Sequence, residues 1–256
     1  MLKRLRRSSI ALSAAALVSA LGAVALSAGP AAADGPQYYV TVGGTCDGAG
    51  EVYEGIDLRG GTRLHVDYPA GAAGLCGDAP MDRSVEIGEA NAKQVILDNW
   101  DPNATYTLVG YSQGAIVVNR VLEDIADGNV AVNKENFNAK LYADPMAPVG
   151  PPGVGIGTAV PKGWGVPSPF GGYVSPGKGR TDFNGIEYVR YCIETDGVCD
   201  FLDIQGPGGY FAQHRCYRWT DPNGNDLMAD TLADGYFNNG SVSIPKKDCR
   251  PPWPTV

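Results

Sequence analysis

The chain has 256 residues, 35 of them glycine and 19 proline, with 44% hydrophobic and 19% charged residues and a formal charge of -8 from 20 basic and 28 acidic side chains. Glycine and proline make up about a fifth of it, below the roughly 25–30% that argues for a disordered polymer, so the composition describes a globular protein with an ample core and many turns. It excludes a collagen-like or coiled-coil protein and a chain built to track a nucleic-acid backbone, which needs a basic patch or stripe.

Residues 1–33 read as a secretory signal peptide. Lys3, Arg4, Arg6 and Arg7 form a basic head, an apolar stretch follows over 10–26, and Ala31-Ala32-Ala33 supplies small residues before Asp34. An uncleaved membrane anchor is the competing reading, but the apolar run is diluted with Ala, Ser and Gly. Cleavage removes those four cations and no anion, so the formal charge goes from -8 to -12. The remainder, 34–256, is expected to be one acidic, extracellular or envelope-associated domain, and a monomer.

Short runs rich in β-branched and aromatic residues, bounded by Gly or Pro, predict strands over 38–42 and 63–68. Val85, Ala92, Val95, Ile96 and Asn99 recur at helical spacing over 82–100. A compact strand over 105–109 leads through a sharp turn into a helix over 115–125, and further strands are expected over 139–143 and 186–191. Strand–helix alternation of this kind implies a mostly parallel sheet covered on both faces.

Between 148 and 180 the pattern stops: 17 of 33 residues are Gly or Pro, and the only charges are Lys162, Lys178 and Arg180. Trp164, Phe170 and Tyr173 suit a solvated linker poorly, so this insertion reads as a flap over a functional site. From about 241 an extended, proline-rich tail is expected, stapled by Cys249.

Six cysteines, Cys46, Cys76, Cys192, Cys199, Cys216 and Cys249, follow the leader, and an even number in an exported chain suggests disulfides. Zinc competes, but there is no Cys-x-x-Cys pair, and His65 and His214 are the only histidines. No metal is expected. Six cysteines permit 15 pairings, and only Cys192 with Cys199 is close enough in sequence to be read locally; the pairing of the rest stays open, sequential pairing being one option.

The sharpest motif is Gly110-Tyr111-Ser112-Gln113-Gly114, between a predicted strand and a predicted helix as the G-x-S-x-G elbow requires. Ser112 must occupy a strained turn that lifts its hydroxyl clear of the sheet, and the helix N-terminus offers N–H groups to an oxyanion. A serine needs a base to become a nucleophile at neutral pH, and His214 is the only histidine downstream. His65, inside a strand-like run, reads as structural. The acid should lie between Ser112 and His214. Asp196 qualifies, because a Cys192–Cys199 bridge would close a ring of eight residues around it. Asp144, Asp200 and Asp203 compete, each with a solvated surface carboxylate as its plainer reading.

These residues resemble the cutinase-like serine esterases, whose acid loop has the Cys192, Asp196, Cys199 spacing, and in particular the actinobacterial PE-PPE domain and the mycobacteriophage lysin B esterases. Val66-Asp67-Tyr68-Pro69-Ala70, the stretch around Ser112, Asp144-Pro145-Met146 and His214-Arg215-Cys216-Tyr217 carry the likeness. It implies an α/β-hydrolase sandwich without metal or organic cofactor. It also implies an oxyanion site made by the Gln113 N–H and, by analogy, by Thr45, which otherwise reads as a turn residue before Cys46. Two departures stand out: Thr195 replaces the glycine often found before the acid, and the loops at 148–180 and 199–214 exceed a minimal cutinase.

The function expected is a secreted carboxylic-ester hydrolase whose partner is an acyl-ester substrate of lipid, polyester or cell-envelope type. An acyltransferase using the same residues, and a catalytically silent envelope-binding protein, are the alternatives. Intact Ser112, Asp196 and His214 count against the last.

Overall fold

A computed structural model describes residues 35–72, 75–165, 174–203 and 212–249. The expected leader, Phe170 and Tyr173 of the insertion, Gly206-Pro207-Gly208-Gly209 and the prolines at 251, 252 and 254 lie outside the described residues.

Six strands form one sheet in the order β2-β1-β3-β4-β5-β6, every pair parallel. They are β1 (Gln37–Val42), β2 (Thr62–His65), β3 (Thr105–Tyr111), β4 (Phe137–Tyr142), β5 (Glu187–Ile193) and β6 (Gly240–Ile244). Parallel neighbours require crossover connections, which cover the sheet faces. The strand period of two then divides the side chains between two cores. Val40, Val42, Tyr106, Leu108, Ala139 and Leu141 pack under α1 (Met81–Asp98) and α2 (Gln113–Ala126). The intervening Tyr39, Val109, Tyr142, Val189 and Tyr191 pack against Tyr217 and a short helix, Leu227–Thr231. The three-layer sandwich read from the sequence is the observed one.

The chain moves from β1 outward to β2, then back across β1 to β3 and onward to β6. Neighbouring loops at the carboxyl ends of β1 and β3 therefore diverge, which is where open α/β sheets place their sites. Ser112 follows β3, and Thr45 follows β1.

Three segments differ from the sequence reading. The strand expected over 63–68 ends at His65, because the chain bends away so that the Tyr68 hydroxyl donates to Gly43 O at 2.6 Å. Gly240–Ile244, expected within an extended tail, is the sixth strand, paired with β5 from Val189↔Gly240 to Ile193↔Ile244. The insertion is less featureless than its composition. It holds a one-turn helix, α3 (Ile156–Ala159), with the helix at Leu227–Thr231 then being α4. Its backbone is tied to the acid loop by Ile156 N–H to Val198 O (2.9 Å) and Phe201 N–H to Val154 O (2.8 Å). Helices of four or five residues are too short to show a period.

Candidate active site

Strand β3 stops at Tyr111 and α2 starts at Gln113, so Ser112 makes the turn alone, with φ 56° and ψ -117°. A non-glycine residue at positive φ carries strain, which the surroundings must impose. They do so sterically. A Cβ on Gly110 would lie 2.6 Å from Gly114 O, and one on Gly114 would lie 2.2 Å from Val42 O. The two glycines of the motif thus let the first turn of α2 press against β3 and the end of β1. The loop after β1 comes equally near, since a Cβ on Gly44 would meet the Tyr111 ring at 2.9 Å and Ser112 Cβ at 3.3 Å.

His214 Nε2 lies 2.9 Å from Ser112 Oγ, and its Nδ1 lies 3.1 Å from each oxygen of Asp196. Asp196 is fully buried. Its carboxylate accepts the Val198 N–H and the Tyr217 hydroxyl, both at 3.0 Å. With Nδ1–H directed at the carboxylate, Nε2 is left to accept the serine proton. Burial, and then the Asp196 charge, push the Tyr217 phenol well above its usual range, so it remains a donor.

The acid loop is shaped by two features. Cys192–Cys199 closes its ring, one of three disulfides beside Cys46–Cys76 and Cys216–Cys249, the sequential pairing. Thr195 has φ 66°, the left-handed region that glycine occupies without cost. The departure from the family pattern therefore leaves the backbone turn in place and puts a threonine into it. The Thr195 N–H donates to Asp200 Oδ2 at 2.9 Å, which anchors this conformation.

Asp144 and Asp200, read from the sequence as surface carboxylates if not the acid, are each 1% exposed. That reading is corrected: both are structural buried groups. Asp144 accepts Arg190 Nε at 2.7 Å, Asn119 Nδ2 at 3.0 Å and the Met146 N–H at 2.8 Å. Arg190 sits in the middle of β5, and a buried guanidinium requires such a partner. Asp203 falls in a 3-10 turn at Phe201–Asp203, and its side chain lies outside what is described.

The two residues expected at the oxyanion site touch through the Gln113 side chain. The Gln113 N–H, in the first turn of α2, has no intrahelical acceptor. Its buried side chain is held by the Ser84 hydroxyl (2.9 Å), Gly71 O (3.0 Å) and Thr45 Oγ1 (3.4 Å). His65 stands elsewhere, at the end of edge strand β2, with Nε2 3.1 Å from Gly48 O and from Asp67 Oδ1. Sequence reasoning missed Tyr111, whose ring stacks on His214 with centroids 5.2 Å apart and whose hydroxyl donates to His214 O. It also gave no role to Tyr217. Among the described residues no cluster of three or more His, Cys, Asp and Glu could hold a metal ion.

A parallel sheet with a serine on a strained strand-to-helix turn defines the α/β-hydrolase class. The chain matches the PE-PPE domain over residues 60–205, more than half its length, and belongs to that family. Fifteen solved chains match. One is a cutinase-like protein from Cryptococcus sp., 19% identical, covering 68% of this chain and 84% of that one, with TM-score 0.45. Another is ClbQ from the colibactin NRPS/PKS pathway, 14% identical over 50% and 52% of the two chains, with TM-score 0.33. No curated protein matches the chain at a significant level. Family and fold together support an esterase-type activity. The disulfides are compatible with an oxidising compartment, and among the described residues no helix is long and apolar enough to cross a membrane.

Proposed function

We propose that the protein is a secreted serine esterase that cleaves acyl esters through Ser112, His214 and Asp196. The observation that carries this reading is the relay itself: 2.9 Å from serine to imidazole and 3.1 Å from imidazole to a buried carboxylate, on a turn strained at Ser112. Ser112 Oγ attacks the ester carbonyl as its proton passes to His214 Nε2. Asp196 stabilises the imidazolium. The oxyanion takes hydrogen bonds from the Gln113 N–H and the Thr45 hydroxyl. His214 returns its proton to the leaving alcohol, and an acyl-Ser112 remains. Water attacks that ester with His214 again as base, releasing the carboxylic acid and restoring the serine. The basic and apolar leader at 1–33 and the three disulfides support export.

Purified mature protein incubated with p-nitrophenyl esters tests the reading. Turnover is expected, with Ser112→Ala and His214→Ala each losing about 10⁴-fold or more in kcat. His65→Ala is expected to lower stability without that loss. Equal kcat in wild type and Ser112→Ala would refute the reading.

A further inference from the structure

His214 ends a helical turn described over 212–214. One turn of helix contributes little stability of its own, so contacts beyond that turn must keep the imidazole facing Ser112. One set comes from the segment after β6. The Gln213 side chain, 3% exposed, donates through Nε2 to Lys247 O and accepts the Lys247 N–H through Oε1, both at 2.8 Å. An amide that pairs with both main-chain groups of one residue holds it as a neighbouring strand would. Three residues after Gln213, the Cys216–Cys249 bridge joins the same two segments again.

The other end of this segment is tied to the acid loop. Ile244 closes β6 in register with Ile193, and its carbonyl accepts the Glu194 N–H at 2.9 Å, two residues before Asp196. Ser243 Oγ donates to Glu194 Oε1 at 3.0 Å. Ile244 and Lys247 are three residues apart, a reach of at most about 11 Å for extended chain. One short stretch therefore touches both the loop that carries the acid and the turn that carries the base. Pro245, Lys246 and Asp248 along it are exposed, so it runs over the surface and is gripped through its main chain and Cys249. Like His214 itself, it lies beyond residues 60–205, the part matched by the PE-PPE domain.

We propose that residues 244–249 form a strap that sets the spacing of acid and base, with Gln213 as the positioning residue through which it holds His214. The effect on turnover rests on the esterase reading. His214 Nδ1 must stay 3.1 Å from both oxygens of Asp196 while Nε2 reaches Ser112 Oγ at 2.9 Å. Acid and base stand on separate segments, so this geometry persists only if the two are braced against each other. A misplacement of about 1 Å can cost about 10²-fold in rate.

Two variants of the mature protein test the strap. Gln213→Met keeps the side-chain volume and removes both hydrogen bonds. A glycine inserted between Pro245 and Lys246 slackens the strap without altering a side chain; it falls between two exposed residues, which keeps the proposal testable if Gln213→Met misfolds. Circular dichroism checks folding. Each variant is expected to lower kcat for p-nitrophenyl acetate at least about tenfold, with KM within about twofold of wild type. Unchanged kcat in both folded variants overturns the proposal. A double-mutant cycle then separates positioning from general damage. Gln213→Met is expected to slow fluorophosphonate labelling of Ser112 when His214 is present and to cause no further slowing in His214→Ala. Equal slowing with and without His214 overturns the proposal. A third readout does not need turnover: the low-field proton resonance of His214 Nδ1–H bonded to Asp196, assigned by its absence in His214→Ala, is expected to vanish in Gln213→Met. If wild type turns over no ester, the esterase reading fails and this resonance decides the strap by itself. Its loss in Gln213→Met supports the strap, and its persistence overturns it.

Discussion

Tyr217 does for Asp196 what Asp196 does for His214: its hydroxyl, held by the Ile193 N–H at 3.0 Å, donates to Asp196 Oδ2 and fixes the carboxylate facing the imidazole. A hydrogen bond to a charged group contributes about 1.5–3 kcal/mol, part of which is expressed in the step that charges His214. Tyr217→Phe is therefore expected to lower kcat about tenfold with little change in KM, as steady-state kinetics will read; an unchanged kcat contradicts this role. Ser112, His214 and Asp196 are legible in the sequence because acyl transfer through serine needs scarce residue types in a fixed order. The tyrosines are not. Tyr111 occupies the unconstrained position of the elbow, and a hydroxyl that reaches sideways to a carboxylate obeys no spacing rule. Asp144 reads from the sequence as a surface carboxylate for a related reason: its partner Arg190 lies 46 residues away in β5, and only the fold makes them meet.

At the scale of the elements, the elbow depends on a backbone approach that admits no side chain at Gly114. Gly114→Ala places a methyl 2.2 Å from Val42 O, where backbone must move. A loss of at least about 2 kcal/mol is expected, as for overpacked cores, measured as a lowered urea midpoint with reduced activity. Wild-type stability in this variant would show that α2 does not press on β1 as described. The acid loop depends on its bridge. Replacing both Cys192 and Cys199 by Ser opens a ring of eight residues, worth about 2.5 kcal/mol in loop-closure entropy. Thermal unfolding will read that loss, and kcat should fall with it because the ring carries Asp196. The longer strands and helices were legible from their periods. Strand β6 was hidden by its place beside a proline-rich tail, and α3 and α4 by their length.

For the whole molecule, the sequence announced three layers but not the strand order, since which strand lies beside β1 is decided by crossovers that leave no local trace. The folded state also buries several phenols. Burial pushes Tyr53, Tyr68, Tyr142 and Tyr217 well above the ordinary tyrosine value of 10.0. Above that value the unfolded chain releases protons that the native state retains, so stability falls as pH rises through and beyond it. Cooperative unfolding accompanied by tyrosinate absorbance is expected in alkaline titration. Complete phenol ionisation near the ordinary value with native circular dichroism intact would contradict the burial of these rings.

The central claim is that Ser112 is a nucleophile activated by His214. Mass spectrometry of the mature protein after exposure to a fluorophosphonate measures it most directly. A single phosphonylated peptide containing Ser112 is predicted in wild type, none in Ser112→Ala, and at least hundredfold slower labelling in His214→Ala. No labelling of the folded wild-type protein, or labelling that proceeds equally fast without His214, would contradict it.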